Sequence, residues 1–157
     1  MAELKIPQLP TEMAHEQIIA TMGRRDAIIL QALVDKFGSE EAQKMIYPRL
    51  KEMGKEIAAM APLLNIQGND ATAIGALVHL FEKQMMRIEG EPTEVSASRV
   101  VKRITKCPLQ NLPPDCCFAF QGIVDGIIEA INPEYKWSIT KLIPRGDPVC
   151  EWIVEKK

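Results

Sequence analysis

Apolar residues recur at helical spacing through the first third of the chain. Ile18, Ile19, Met22, Ile29, Ala32, Leu33 and Phe37 fall on one stripe, which predicts a long helix ending at Phe37. Thr11 reads as its N-cap, with Glu12 placed where the helix dipole favours negative charge. Gly23 is a point where the helix can bend, and Gly38 reads as its stop. Ser39, followed by Glu40 and Glu41, opens a second helix. Its stripe of Ile46, Leu50, Met53, Ile57 and Met60 alternates spacings of four and three. Pro48 inside it predicts a kink or the true helix start. After a loop from Pro62 to Gly68, Asp70 caps a third helix carrying Ile74, Leu77, Val78 and Phe81.

The period changes after Met86. Residues 86–92 alternate, residues 94–107 are rich in β-branched side chains, and Gly90, Pro92 and Thr93 punctuate the junction, so the stretch reads as an antiparallel hairpin. A fourth helix from Pro114 to Ile131 follows, with Phe120, Ile123, Val124, Ile127, Ile128 and Ile131 on its apolar face. Two more strands, Tyr135 to Ile143 and Val149 to Val154, are joined by the turn Pro144-Arg145-Gly146-Asp147-Pro148. The expected fold is α+β: about four helices packed on one face of a four-stranded antiparallel sheet, with a C-terminal β-hairpin. Residues 1–157 read as a single domain, with 1–10, bracketed by Pro7 and Pro10, as an N-terminal arm.

Charge narrows the class of partner. With 25% charged residues, a net charge of −2 and a pI near 5.8, nothing points to nucleic acid or an anionic membrane. The N-terminus lacks an apolar signal region and no apolar run is long enough to span a bilayer, so a cytoplasmic protein with reduced thiols is expected. Eight methionines against few aromatics suit a plastic core or an adaptable pocket.

The candidate chemistry is concentrated in the C-terminal third, where all four cysteines fall. Cys107 closes a strand, Cys116 and Cys117 open the fourth helix, and Cys150 begins the last strand after a Gly-Asp turn. A helix N-terminus favours the thiolate and lowers its pKa. Convergence of these element ends at one rim of the sheet would build a pocket. Taken singly, each cysteine reads more readily as a small packed hydrophobe. The spacing C-x8-C-C-x32-C leaves a zinc ion open as a cofactor but lacks the paired C-x2-C knuckles of zinc sites. His15 and His79 read as surface or boundary residues. Asp125, between Gly122 and Gly126, reads as a solvated acid beside a small-residue face that another element or a ligand can approach. Arg24 and Arg25, with Asp26, offer charge for an anionic substrate, but read more readily as exposed helix charges.

The order Cys107-Pro108, Cys116-Cys117, Asn132-Pro133 and Gly146-Asp147-x-x-Cys150-x-Trp152 resembles the L-2-amino-thiazoline-4-carboxylic acid hydrolase family. More loosely it is similar to the vinyl-4-reductase-type ligand-binding domains. Upstream, Arg25 and Phe37-Gly38-Ser39-Glu40-Glu41-Ala42 fit the same pattern. The first resemblance implies hydrolysis of a C–N bond in a small heterocyclic or amidine-like compound. Cys107, Cys116 or Cys117, and Cys150 would then be the site thiols and Asp147 the acid. A thiolate would attack the C=N carbon, or hold a metal that activates water, while the carboxylate moves protons. The second resemblance implies a non-enzymatic small-molecule-binding or sensor domain with an apolar ligand in its Met- and Ile-rich interior. Either way the expected partner is a small molecule, with no nucleic acid or membrane, and a homodimer is open.

Overall fold

The computed structural model describes residues 10–111 and 114–157, with the backbone alone for residues 115, 116 and 118–120. The expected N-terminal arm therefore lies outside the described residues except for Pro10, as do the side chains of Cys116 and Phe120. The elements run α1 (Thr11–Phe37), α2 (Ser39–Ala59), α3 (Ala71–Leu80), β1 (Glu89–Val95), β2 (Arg99–Lys106), α4 (Phe118–Ile131), β3 (Tyr135–Lys141) and β4 (Cys150–Lys156). Short 3-10 turns cover Ala61–Leu64, Pro114–Cys117 and Ile143–Arg145, and a π-helical turn, Phe81–Met85, continues α3. The fold is α+β, as the periodicity implies.

The helix starts differ by one residue from expectation. Pro10 and Gly38 occupy the N-cap positions, so Thr11 and Ser39 are the first helical residues rather than caps. Gly38 separates α1 from α2 at φ 78°, a left-handed value that favours glycine, and its N–H donates to the Val34 carbonyl at 2.8 Å. Helix α2 runs unbroken through Pro48 from Ser39, so the proline does not mark its beginning. Asp70 caps α3 as expected, its Oδ1 accepting from the Ala73 N–H at 3.0 Å.

The four strands form one antiparallel sheet in the order β1-β2-β4-β3. Two hairpin-like pairs thus meet along β2 and β4, with α4 crossing between β2 and β3. Pro92 is tolerated because β1 is an edge strand and its ladder shifts register there. Alternation sends Val100, Ile104, Trp152 and Val154 inward, where they pack with Ile74, Leu77 and Val78 of α3 and Val124 and Ile127 of α4. On the outer face, Glu151 takes Arg103 at 2.8 Å and Lys141 at 3.4 Å, and Glu155 takes Lys136 at 3.2 Å.

Helix α2 lies across α4 at very close approach. A methyl group on Gly54 would overlap the Ile123 carbonyl oxygen, and one on Gly126 would overlap that of Lys51. The small-residue face read at Gly122 and Gly126 is therefore met by α2 itself. Asp125 is half-buried there and accepts the Tyr47 hydroxyl at 2.6 Å, in place of the solvated acid that the sequence suggested. Burial, then this carboxylate, pushes the Tyr47 phenol up to about 12. Helix α1 is the outlier. Of its 27 residues only Ala27 is buried, and it touches the rest of the fold mainly through α2.

Candidate functional site

The stripe that makes α1 amphipathic does not enter a packed core. Ile18 and Ile29 remain 61% and 50% exposed. With Met22 and Leu33 they wall one side of a cleft of about 510 Å³, closed opposite by Leu50 and Met53 of α2 and floored by Phe81, Met85 and Met86. Leu109, from the bend after β2, and Ile123 of α4 complete it. The volume falls in the range of small-molecule pockets, about 300–1,000 Å³. Among the described residues Asp26 is the one charged side chain on its lining, and its Oδ1 is already shared with Arg25 Nη2 at 3.1 Å. Four of the eight methionines line the cleft, where unbranched thioether chains can adapt to the shape of a guest.

Behind Leu109 lies a second, smaller chamber of about 50 Å³, lined by Cys107, Cys117 and Cys150 with Glu82, Trp137 and Trp152 among its neighbours. Three of the element ends singled out by sequence thus reach one rim of the sheet, as strand end, helix start and strand start. The local backbone explains their positions. The Cys107 N–H donates to Gln110 Oε1 at 3.1 Å and its Sγ accepts from the Leu109 N–H at 3.4 Å, which folds the chain back after β2. Cys150 Sγ accepts from the Ile143 N–H at 3.3 Å across the β3–β4 turn. Asp147 closes that same turn, its Oδ2 accepting from the Leu142 N–H at 2.7 Å. The side chain of Cys116 lies outside the described residues.

The electrostatics of Cys107 and Cys150 disfavour the thiolate. Burial pushes Cys107 up to about 11, outweighing the Leu109 N–H, with Cys150 and Glu82 adding to the rise. Burial likewise raises Cys150, and the Asp147 and Glu82 carboxylates add to it. At neutral pH both are thiols rather than thiolates, because a low-dielectric wall disfavours the anion. Among the described residues, no group of three or more His, Cys, Asp or Glu side chains is arranged to hold a metal ion.

A buried ionic group beside the chamber went unread in the sequence. Glu82, in the π-helical turn, and Lys102, in β2, are both wholly buried. Lys102 Nζ donates to Glu82 Oε2 at 2.6 Å, and Trp152 Nε1 donates to Glu82 Oε1 at 2.9 Å. Burial raises the Glu82 carboxyl, and the Lys102 ammonium and the indole N–H counter it. The signal was present: inward Val100 and Ile104 flank Lys102 at strand spacing, so Lys102 had to point in as well. His79, at the end of α3, is lowered chiefly by burial and then by Lys102.

Fold and cleft together define an α+β domain with an apolar hollow between its outer helices and its core, and known proteins share this fold. A trafficking protein particle complex subunit 3 from Naegleria fowleri, covalently bound to palmitic acid, superposes with a TM-score of 0.70 at 12% identity, over 90% of this chain and 96% of that one. The phenol-responsive sensory domain of the transcription activator PoxR, solved with phenol, superposes with a TM-score of 0.61 at 16% identity, over 88% of this chain and 74% of that one. At such identities the likeness is one of fold. In sequence, an uncharacterised protein of Archaeoglobus fulgidus is 28% identical over 148 positions, covering 85% of this chain. The chain spans 66% of that relative's length. No family model matches the sequence.

Proposed function

We propose that this chain is a small-molecule-binding domain of the sensor or carrier kind, which holds an apolar ligand in the cleft between α1 and α2. The observation that carries this reading is the cleft itself: about 510 Å³ of almost wholly apolar lining in a chain otherwise well packed around its sheet. Leaving that surface wet costs free energy, roughly 25 cal/mol for each Å² a guest would cover. The two fold neighbours support the same direction, one holding palmitic acid and the other phenol. Nile red, a neutral apolar dye, tests it. Titration into the full chain should give saturable fluorescence that Met22→Asp and Met53→Asp abolish while the fold persists by circular dichroism. Unsaturable fluorescence, or binding indifferent to both substitutions, would overturn the reading.

A hydrolytic reading has one specific support: Cys107, Cys117 and Cys150 line a chamber together with Glu82, whose carboxylate is held by Lys102. In that reading a thiol would add to the C=N carbon of a 2-aminothiazoline carboxylate, its proton passing by way of Glu82 to the ring nitrogen as the π bond breaks; water would then add at the same carbon, open the ring and release the thiol, with the Asp147 carboxylate moving protons. The raised thiols and the small chamber favour binding over turnover. Substrate-dependent loss of the thiazoline absorbance, abolished by Cys107→Ala or Cys150→Ala, would reverse that preference. No turnover at micromolar protein would retire the hydrolase.

A further inference from the structure

Helix α1 stands apart from the main core. Among the described residues, that core draws on α2, α3, α4 and the sheet but on no residue of α1. The helix joins a smaller cluster around Ala42, where Leu30, Leu33 and Val34 near its C-terminus meet Ile46 and Leu50 of α2. Next to that cluster lies the Gly38 corner, at φ 78° with open space where a side chain would begin. From there α1 passes over the cleft and runs by Pro108 at Gly23, where an added methyl group would be in ordinary contact at 4.0 Å. Its far end brings Glu16 to a point about 33 Å from the corner. Glu16 Oε1 there accepts from Arg87 Nη2 at 2.9 Å. Arg87 is mounted on the edge of the cleft floor, directly after Met85 and Met86, and holds φ 52°, a left-handed value rare outside glycine. The bonds on either side fix that conformation: the Met86 N–H donates to the Phe81 carbonyl at 3.2 Å and the Ile88 N–H to the Glu82 carbonyl at 2.9 Å. A residue held so sparsely by its surroundings is a mark of a position with a task.

We infer that α1 is a ligand-gated lid, which pivots at the Gly38 corner, is clasped by the Glu16–Arg87 pair, and is locked onto the domain by the guest in the cleft. This rests on the cleft being a ligand site. The distribution of buried surface argues for it. Anchorage at one end and a clasp at the other leave the middle of α1 with few buried apolar contacts, the condition under which an element opens on its own. Ile18, Met22 and Ile29 remain exposed along the cleft. A guest changes that balance. It covers those side chains only while α1 is down, so it binds the closed state more tightly and shifts the population toward it. The clasp alone is too weak to do so, because both its partners are nearly half-exposed and such pairs are worth little. The guest is the lock, and the clasp sets where the lid lands.

Backbone hydrogen exchange of the full chain, with and without saturating Nile red, tests the lid. Helices owe most of their stability to packing, so an α1 that lifts away also frays and exchanges. Without dye, amides from Met13 to Ile29 should exchange at least about tenfold faster than those from Ile123 to Ile128 in α4. Dye should slow α1 by about fivefold or more and leave α4 unchanged. Glu16→Gln and Arg87→Gln should each speed α1 exchange on the order of two- to fivefold, and the swapped pair, Glu16→Arg with Arg87→Glu, should restore it. If α1 is as protected as α4 without dye, or if a dye that binds saturably leaves α1 unchanged, the lid is wrong while the cleft stands. If both single variants exchange like the parent chain, the clasp is wrong. If the dye does not bind at all, the lock falls together with the cleft reading.

Discussion

Lys102 shows how much a single residue's environment can depart from its type. An ammonium with no exposure persists because Glu82 neutralises it and Trp152 occupies the other carboxylate oxygen. Breaking such a pair leaves a charge buried without compensation, at a cost of about 3–5 kcal/mol, whereas replacing both partners costs far less. Lys102→Met should therefore lower the urea midpoint severely, and Glu82→Gln combined with Lys102→Met should recover much of the loss. Equal midpoints for the single and double variants would refute the pairing. The thiols offer a second prediction at this scale. With Cys107 pushed up to about 11, alkylation by iodoacetamide in the native state should be slow at pH 7 and climb steadily as pH rises toward that value. Rapid modification of Cys107 at neutral pH would contradict the burial argument. The sequence places this thiol at a strand end but carries no sign of its acidity, which is set by the burial that only the folded chain shows.

Among the elements, the α2–α4 crossing and the outer face of the sheet each make a distinct prediction. Gly54→Ala or Gly126→Ala drives a methyl group into a facing backbone carbonyl, so the helices must separate. Overpacking of this kind costs about 1–3 kcal/mol, readable as a lowered denaturant midpoint; an unchanged midpoint would mean that the helices are not in backbone contact. On the outer sheet face, Arg103, then Thr140, hold Glu151 down to about 2 from the usual 4.5. A depressed folded-state value stabilises the fold fully above about pH 4.5, and that contribution is lost as pH falls toward 2. Glu151→Gln should flatten this part of the acid-stability profile, and a profile parallel to the parent chain would exclude Glu151 as its source. The elements themselves were legible because period and punctuation agree along most of the chain: Asp70 caps, Gly38 stops, and alternating runs pair. What pattern cannot give is the partner of each face. The stripe of α1 reads the same whether it meets core or cavity, and Gly122 and Gly126 read the same whether they meet a helix or a ligand.

At the scale of the molecule, a packed sheet-and-helix core carries a loosely attached outer helix, and the space between them is the cleft. In the sequence the thiols are conspicuous, whereas a cavity has no residue signature beyond an excess of methionine and isoleucine on two amphipathic faces. Those faces bring Met22 and Met53 to the cleft, where Met85 and Met86 of the turn after α3 join them. Among the described residues no helix is long and apolar enough to cross a membrane. The function proposed for the chain stands or falls with a small apolar guest in the α1–α2 cleft. A crystal structure of the chain soaked with 10-bromodecanol tests it most directly, through the anomalous signal of bromine. A bromine peak is expected between α1 and α2, within contact of Met22 or Met53. Bromine confined to the thiol-lined chamber, or absent from the cleft at saturating ligand, would contradict it.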